Sequence, residues 1–138
     1  RRASRRVGRN TRLNGTAHAA VPFLYLVTMK KLEDSSQLDD IISADGMTLF
    51  YLSRPDCGVC TAIKPKVQSL LEEFPQMDAY DIDLDEMPIL AGRFEVFTIP
   101  AVLVYAQQRE FIREARYFSI EELGRKIERY YELLFSPA

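Results

Sequence analysis

The chain has two cysteines, Cys57 and Cys60, and they stand three residues apart. Two cysteines cannot staple a small secreted domain, which needs a framework of several bridges. Nor do they complete a structural zinc site. Such a site takes four Cys or His ligands, and the one histidine, His18, lies far off toward the N-terminus. What remains is a Cys-X-X-Cys redox pair. An inert buried pair and a dithiol metal site are the alternatives, and the second lacks a nearby third ligand.

The flanking sequence favours reactivity. Met47-Thr48-Leu49-Phe50-Tyr51-Leu52 is apolar on both faces of an extended chain, as a central buried strand requires. Ser53-Arg54-Pro55-Asp56 reads as a loop. A helix is expected from Cys57 to about Phe74, with Val67, Leu70, Leu71 and Phe74 on one face. Pro65 lies inside it. Proline lacks the N–H and crowds the carbonyl four residues back, at Thr61, so a kink is expected. A helix starting at Cys57 places Cys60 one turn on, on the same side. That spacing closes a disulfide with little backbone change. Cys57 then sits at the helix N-terminus, where unpaired N–H groups and the dipole favour a negative sulfur. Cys57 is the expected nucleophile and Cys60 the resolving thiol. Asp56 opposes this, because a carboxylate beside Cys57 disfavours the thiolate; Arg54 is placed to offset it.

The rest of the chain alternates strands and helices. Residues 30–32 read as a short strand. Asp34 or Ser35 can cap a helix through Leu38, Ile41 and Ile42, ended by a turn at Asp45-Gly46. Ala79–Leu84 alternates as a strand does. Pro88 starts a short helix through Phe94. Ala101–Tyr105 and Glu110–Tyr117 are strands joined by a turn at Gln107-Gln108. Ser119 and Glu122 form a capping box before a helix through Ile127, Tyr130, Tyr131 and Leu134. Phe94 and Phe97 are expected in the core or packed under the proline loop, rather than as a ligand platform. The order β-α-β-α-β-α-β-β-α defines an α/β domain.

A chain of 138 residues, 47 % apolar, suits one such domain. Its charge is uneven. Residues 1–28 hold six of the eighteen basic residues and no acid, so the remainder carries twelve against twenty, a net charge of −8. An acidic body argues against a nucleic-acid partner. No apolar run approaches the roughly 20 residues that span a bilayer, so no membrane role is expected. Met29-Lys30-Lys31 reads as a natural start. Residues 1–28 are therefore expected to be a basic leader, either non-native or a targeting segment, ahead of a domain at 29–138.

Residues 30–135 resemble the thioredoxin family. The resemblance rests on Cys57-Gly58-Val59-Cys60, on Pro65 five residues after the second cysteine, and on Asp81-Ile82-Asp83-Leu84-Asp85-Glu86. It rests also on Thr98-Ile99-Pro100, which ends forty residues after Cys60. It implies a three-layer α/β fold with a central mixed sheet of four to five strands flanked by helices. It implies a cis bond at Ile99-Pro100, with Thr98, Ile99 and Pro100 pairing with an extended substrate beside Cys57. The pattern is broken in places. Asp56 stands where the family has Trp, and Val59 where it has Pro. Tyr51 stands in place of a buried Asp, and Asp81 in place of the Lys that pairs with it. This suggests that Asp81 has taken over as general base for Cys60, directly or through water; a solvated or paired strand residue is the other reading. Lys64, one turn beyond Cys60, is a further candidate for tuning it.

The resemblance implies a thiol-disulfide oxidoreductase without a bound cofactor or metal. Its substrates would be protein disulfides, and its electron donor a thioredoxin reductase or similar protein. A cytoplasmic monomer is expected. The alternative is a thioredoxin-fold binding or redox-sensing module without efficient turnover, which the missing Trp and missing buried Asp favour.

Overall fold

The computed structural model describes residues 28–136. The basic leader lies outside them except for its last residue. The element that organises the fold is the apolar run after Gly46. It forms strand β2, Met47–Ser53, and six of its seven residues are buried. β2 lies at the centre of a five-stranded sheet with the order β1-β3-β2-β4-β5. Its neighbours are β3 (Asp78–Asp83), which runs parallel, and β4 (Ala101–Ala106), which runs antiparallel. The edges are β1 (Lys30–Lys31), parallel to β3, and β5 (Arg109–Ala115), antiparallel to β4.

Alternation along β2 divides the core in two. Met47, Leu49 and Tyr51 face one layer, with Val67, Leu70 and Leu71 of helix α2 (Gly58–Leu71) and Leu123 and Ile127 of α4 (Ile120–Phe135). Phe50 and Leu52 face the other, with Leu38 of α1 (Leu38–Ser43) and Leu90 of α3 (Ile89–Arg93). This is the three-layer α/β architecture with a mixed central sheet.

Local chemistry adjusts the boundaries. Asp34 does cap, its Oδ1 accepting the Ser36 N–H at 2.9 Å. The capped segment is a single 3₁₀ turn, Ser35–Gln37, and α1 begins only at Leu38. Helix α2 ends at Leu71, three residues short of Phe74. Its last N–H groups, from Glu72, Glu73 and Phe74, donate three residues back rather than four, which tightens the end into turns. Pro65 does not interrupt α2, which runs through it and buries Val67, Leu70 and Leu71 beyond it. β5 stops at Ala115, because Arg116 turns into the left-handed region at φ 68°.

The turn at Gln107-Gln108 is tight. Both residues have positive φ, 52° and 68°, as a two-residue hairpin twisted to match its strands demands. Glutamine carries a steric penalty there that Asn-Gly lacks. Replacing Gln107→Asn together with Gln108→Gly should therefore stabilise the protein by about 1 kcal/mol. Urea unfolding checks this, as a higher midpoint at unchanged slope.

Candidate active site

Loop 54–57 leaves the C-terminal end of the central strand and delivers Cys57 as the N-cap of α2. The Cys57 backbone is extended (φ −98°, ψ 105°), and its sulfur accepts the Cys60 N–H at 3.1 Å. That N–H is one of the donors a helix start leaves without an internal partner. The same N–H would stabilise a thiolate at Cys57 once the bond opens. Cys57 and Cys60 are joined as a disulfide, with Cα atoms 5.2 Å apart. They differ in access. Cys60 is 2 % exposed, whereas Cys57 is only partly buried. Of the two sulfur-bearing residues, Cys57 is therefore the accessible one.

Arg54 has its partner elsewhere than at Asp56. Its Nε bonds to the Asp85 carboxylate at 3.1 Å instead. The turn Ser53–Asp56 carries Arg54 toward the β3–α3 connection, where Asp85 lies.

Behind Cys60 the sheet supplies two groups. Tyr51 on β2 and Asp81 on β3 are register partners, so both point to the α2 face. The Tyr51 hydroxyl donates to the Cys60 carbonyl at 2.6 Å. Burial, and then the nearby Asp81 charge, hold that phenol above the ordinary tyrosine range, so it stays a neutral donor. Asp81 forms an ion pair with Lys64. Cys60, Lys64 and Asp81 line one open cleft together with Lys31, Arg54 and Asp83. Tyr51 thus reaches the second cysteine through its carbonyl, and Asp81 shares a cleft with it. Sequence reasoning named Asp81 and Lys64 separately. Their pairing follows from the parity of β3, which puts Asp81 on the face that α2 covers.

The third part of the site is the segment before β4. The Ile99–Pro100 bond is cis. Ala101 pairs with Leu52, so Pro100 lies at the sheet end from which loop 54–57 departs. Both ends of this segment are held. Helix α3 closes in a Schellman motif: Glu95 takes positive φ (54°), its N–H donates to Gly92, and the Val96 N–H donates to Ala91. Arg113 reaches from β5 and donates to the Phe94 and Glu95 carbonyls at 2.7 and 3.2 Å. At the other end the Arg116 N–H donates to the Pro100 carbonyl at 2.7 Å. Phe94 is buried as expected, at 3 % exposure, but Phe97 is not in the core and is 89 % exposed. The Schellman turn buries Val96 and directs the next side chain outward. No single-sequence periodicity marks that reversal.

Two sulfurs that open and close across one helical turn, the outer one at a helix N-terminus, make a thiol-disulfide oxidoreductase. The chain belongs to the thioredoxin family, whose model matches residues 28–128. It is similar to the thioredoxin-like protein YdfQ of Bacillus subtilis (strain 168). The two are 36 % identical over 105 residues, which is 76 % of this chain and 94 % of YdfQ. Solved structures agree. A point-mutant thioredoxin of Halobacterium salinarum NRC-1 is 25 % identical with a TM-score of 0.67, covering 75 % of this chain and 90 % of its own. Thioredoxin of Trypanosoma brucei brucei superposes with a TM-score of 0.72 at 17 % identity, covering 78 % and 94 %. Among the described residues no helix is long and apolar enough to cross a membrane.

Proposed function

We propose that the protein reduces disulfides in other proteins as a cytoplasmic monomer, recharged by a thioredoxin reductase or similar donor and using no bound cofactor. The observation that carries this reading is Cys57 at the N-cap of α2, at the same sheet end as cis-Pro100. In the reduced protein the Cys57 thiolate attacks a substrate sulfur. The substrate S–S bond breaks, a mixed disulfide forms, and one substrate thiol leaves. Cys60, as a thiolate, then displaces the second substrate sulfur and restores the Cys57–Cys60 bond. The two protein protons end on the two released thiols. Thr98, Ile99 and Pro100 hold the substrate extended. Among the described residues neither main-chain group of Ile99 has a main-chain partner, which leaves both for a strand laid alongside.

Asp81 accepts the proton of Cys60, directly or through a water in the cleft. Lys64 fixes that carboxylate, and its charge also favours a negative sulfur nearby. Asp81→Asn keeps the shape and removes the acceptor. Resolution of a mixed disulfide at Cys57 should then slow by about tenfold or more near neutral pH. Stopped-flow rates from about pH 6 to about pH 9 check this. A variant with the wild-type profile would remove Asp81 from the reaction.

Reduction of insulin by dithiothreitol, followed by turbidity, tests the function as a whole. Precipitation well ahead of dithiothreitol alone is expected. A rate equal to dithiothreitol alone would leave a redox-sensing or binding role.

A further inference from the structure

Three exposed apolar side chains belong to the segments that build the site. Val59 is 45 % exposed within the motif itself, Phe97 is 89 % exposed and Tyr117 is 78 % exposed. Isolated exposed apolar residues are ordinary on a protein surface. These three are not scattered. Phe97 stands three residues before Pro100. Tyr117 follows Arg116, whose N–H holds the Pro100 carbonyl at 2.7 Å. Val59 lies between the two cysteines. Val59 is in the first turn of α2, and Pro100 and Arg116 lie at the sheet end from which the Cys57 loop departs, so Phe97 and Tyr117 belong to segments that meet there.

The aromatic positions are also fixed by their backbones. Phe97 leaves a Schellman turn clamped by Arg113. Arg116 is held at φ 68°, an uncommon conformation for a residue with a Cβ and one that collects at ligand clamps. Its guanidinium lies 5.3 Å from the Tyr117 ring centroid, which steadies the ring from one side. An aromatic side chain held ready contributes contact area at low entropic cost.

Resting on the disulfide-exchange reading above, we propose that Phe97 and Tyr117 are specificity residues. They flank the cis-proline and select extended polypeptide segments that carry an apolar side chain next to the disulfide sulfur. The main-chain groups of Ile99, without main-chain partners among the described residues, pair with a peptide backbone, while the rings receive its side chains. A small anionic disulfide such as glutathione disulfide has neither a peptide strand to add nor an apolar side chain to bury. It also meets the exposed carboxylate of Asp56 beside Cys57. The occupant is therefore a polypeptide, and a flexible or unfolded one, because the segment must lie extended across the site.

The test uses the reduced protein and three disulfides: a peptide dimer with Leu on each side of Cys, the same dimer with Ser, and glutathione disulfide. Each reaction converts the protein dithiol to Cys57–Cys60 disulfide and releases two thiols, so acid quenching and mass spectrometry give its second-order rate constant. The wild type should favour the Leu dimer over the Ser dimer by about tenfold. In Phe97→Ser with Tyr117→Ser the Leu-to-Ser ratio should fall toward one. Phe97→Leu alone should retain most of it. A wild type that reacts with all three but has no Leu preference overturns the proposal and leaves the exchange reading standing. So does a double variant that keeps the preference. A wild type inert with all three overturns the exchange reading and this proposal with it.

Discussion

Cys60→Ser stops turnover and leaves Cys57 attached to its substrate. The expectation follows from the difference in access and capping between the two sulfurs. Cys57 is partly open and receives a helix-end N–H, whereas Cys60 is buried at 2 % exposure. With serine at position 60, Cys57 still attacks, but no second sulfur displaces the substrate. Insulin reduction should fall by about a thousandfold or more, with a covalent adduct of protein and substrate visible on non-reducing gels. Cys57→Ser should lose the same activity and form no adduct. An adduct in Cys57→Ser and none in Cys60→Ser would reverse the two roles.

Phe50→Ala carries the largest expected loss of stability. The Phe50 side chain is fully buried on the central strand. Its ring packs 5.3 Å from Phe94, 5.6 Å edge-on from Tyr105 and 6.0 Å from Tyr80. Truncation removes the transfer energy of the ring, opens a cavity and breaks three aromatic contacts, at a cost of about 3–5 kcal/mol. Against a typical net stability of about 5–15 kcal/mol, that shift should be plain in urea unfolding. Phe94 also anchors the turn from which Phe97–Pro100 departs, so the variant should lose activity at temperatures the wild type tolerates. A loss below about 1 kcal/mol would show that this layer collapses to fill the gap.

Much of this molecule is legible in its sequence, for identifiable reasons. The run from Met47 to Leu52 is apolar on both faces of an extended chain, which suits a strand covered on both sides, and β2 is that strand. Ser119 caps α4 as its sequence position suggests, accepting the Glu122 N–H at 3.1 Å. Glu122 does not complete the box. Its carboxylate turns to Arg125, while Glu121 takes the serine hydroxyl. Carboxylate choices of this kind depend on which cation lies within reach in space, and spacing along the chain does not encode that. The same reason sends Arg54 to Asp85 and joins Lys64 to Asp81. Phe97 departs from expectation because composition favours burying phenylalanine, while a left-handed residue at Glu95 redirects the chain. Tyr51 reads as core, and it is core. Its hydroxyl on the Cys60 carbonyl emerges only once β2 and the first turn of α2 are set side by side.

The claim on which everything else rests is that Cys57 and Cys60 interconvert between dithiol and disulfide as a pair. Titrating the protein against graded ratios of reduced to oxidised glutathione, with each equilibrium trapped by alkylation and read by mass spectrometry, tests it most directly. The structure predicts one two-electron transition between the dithiol and the internal Cys57–Cys60 disulfide, at a potential between about −270 and −120 mV. Thiols that stay reduced at every ratio, or that end as separate glutathione adducts with no internal bond, would contradict it.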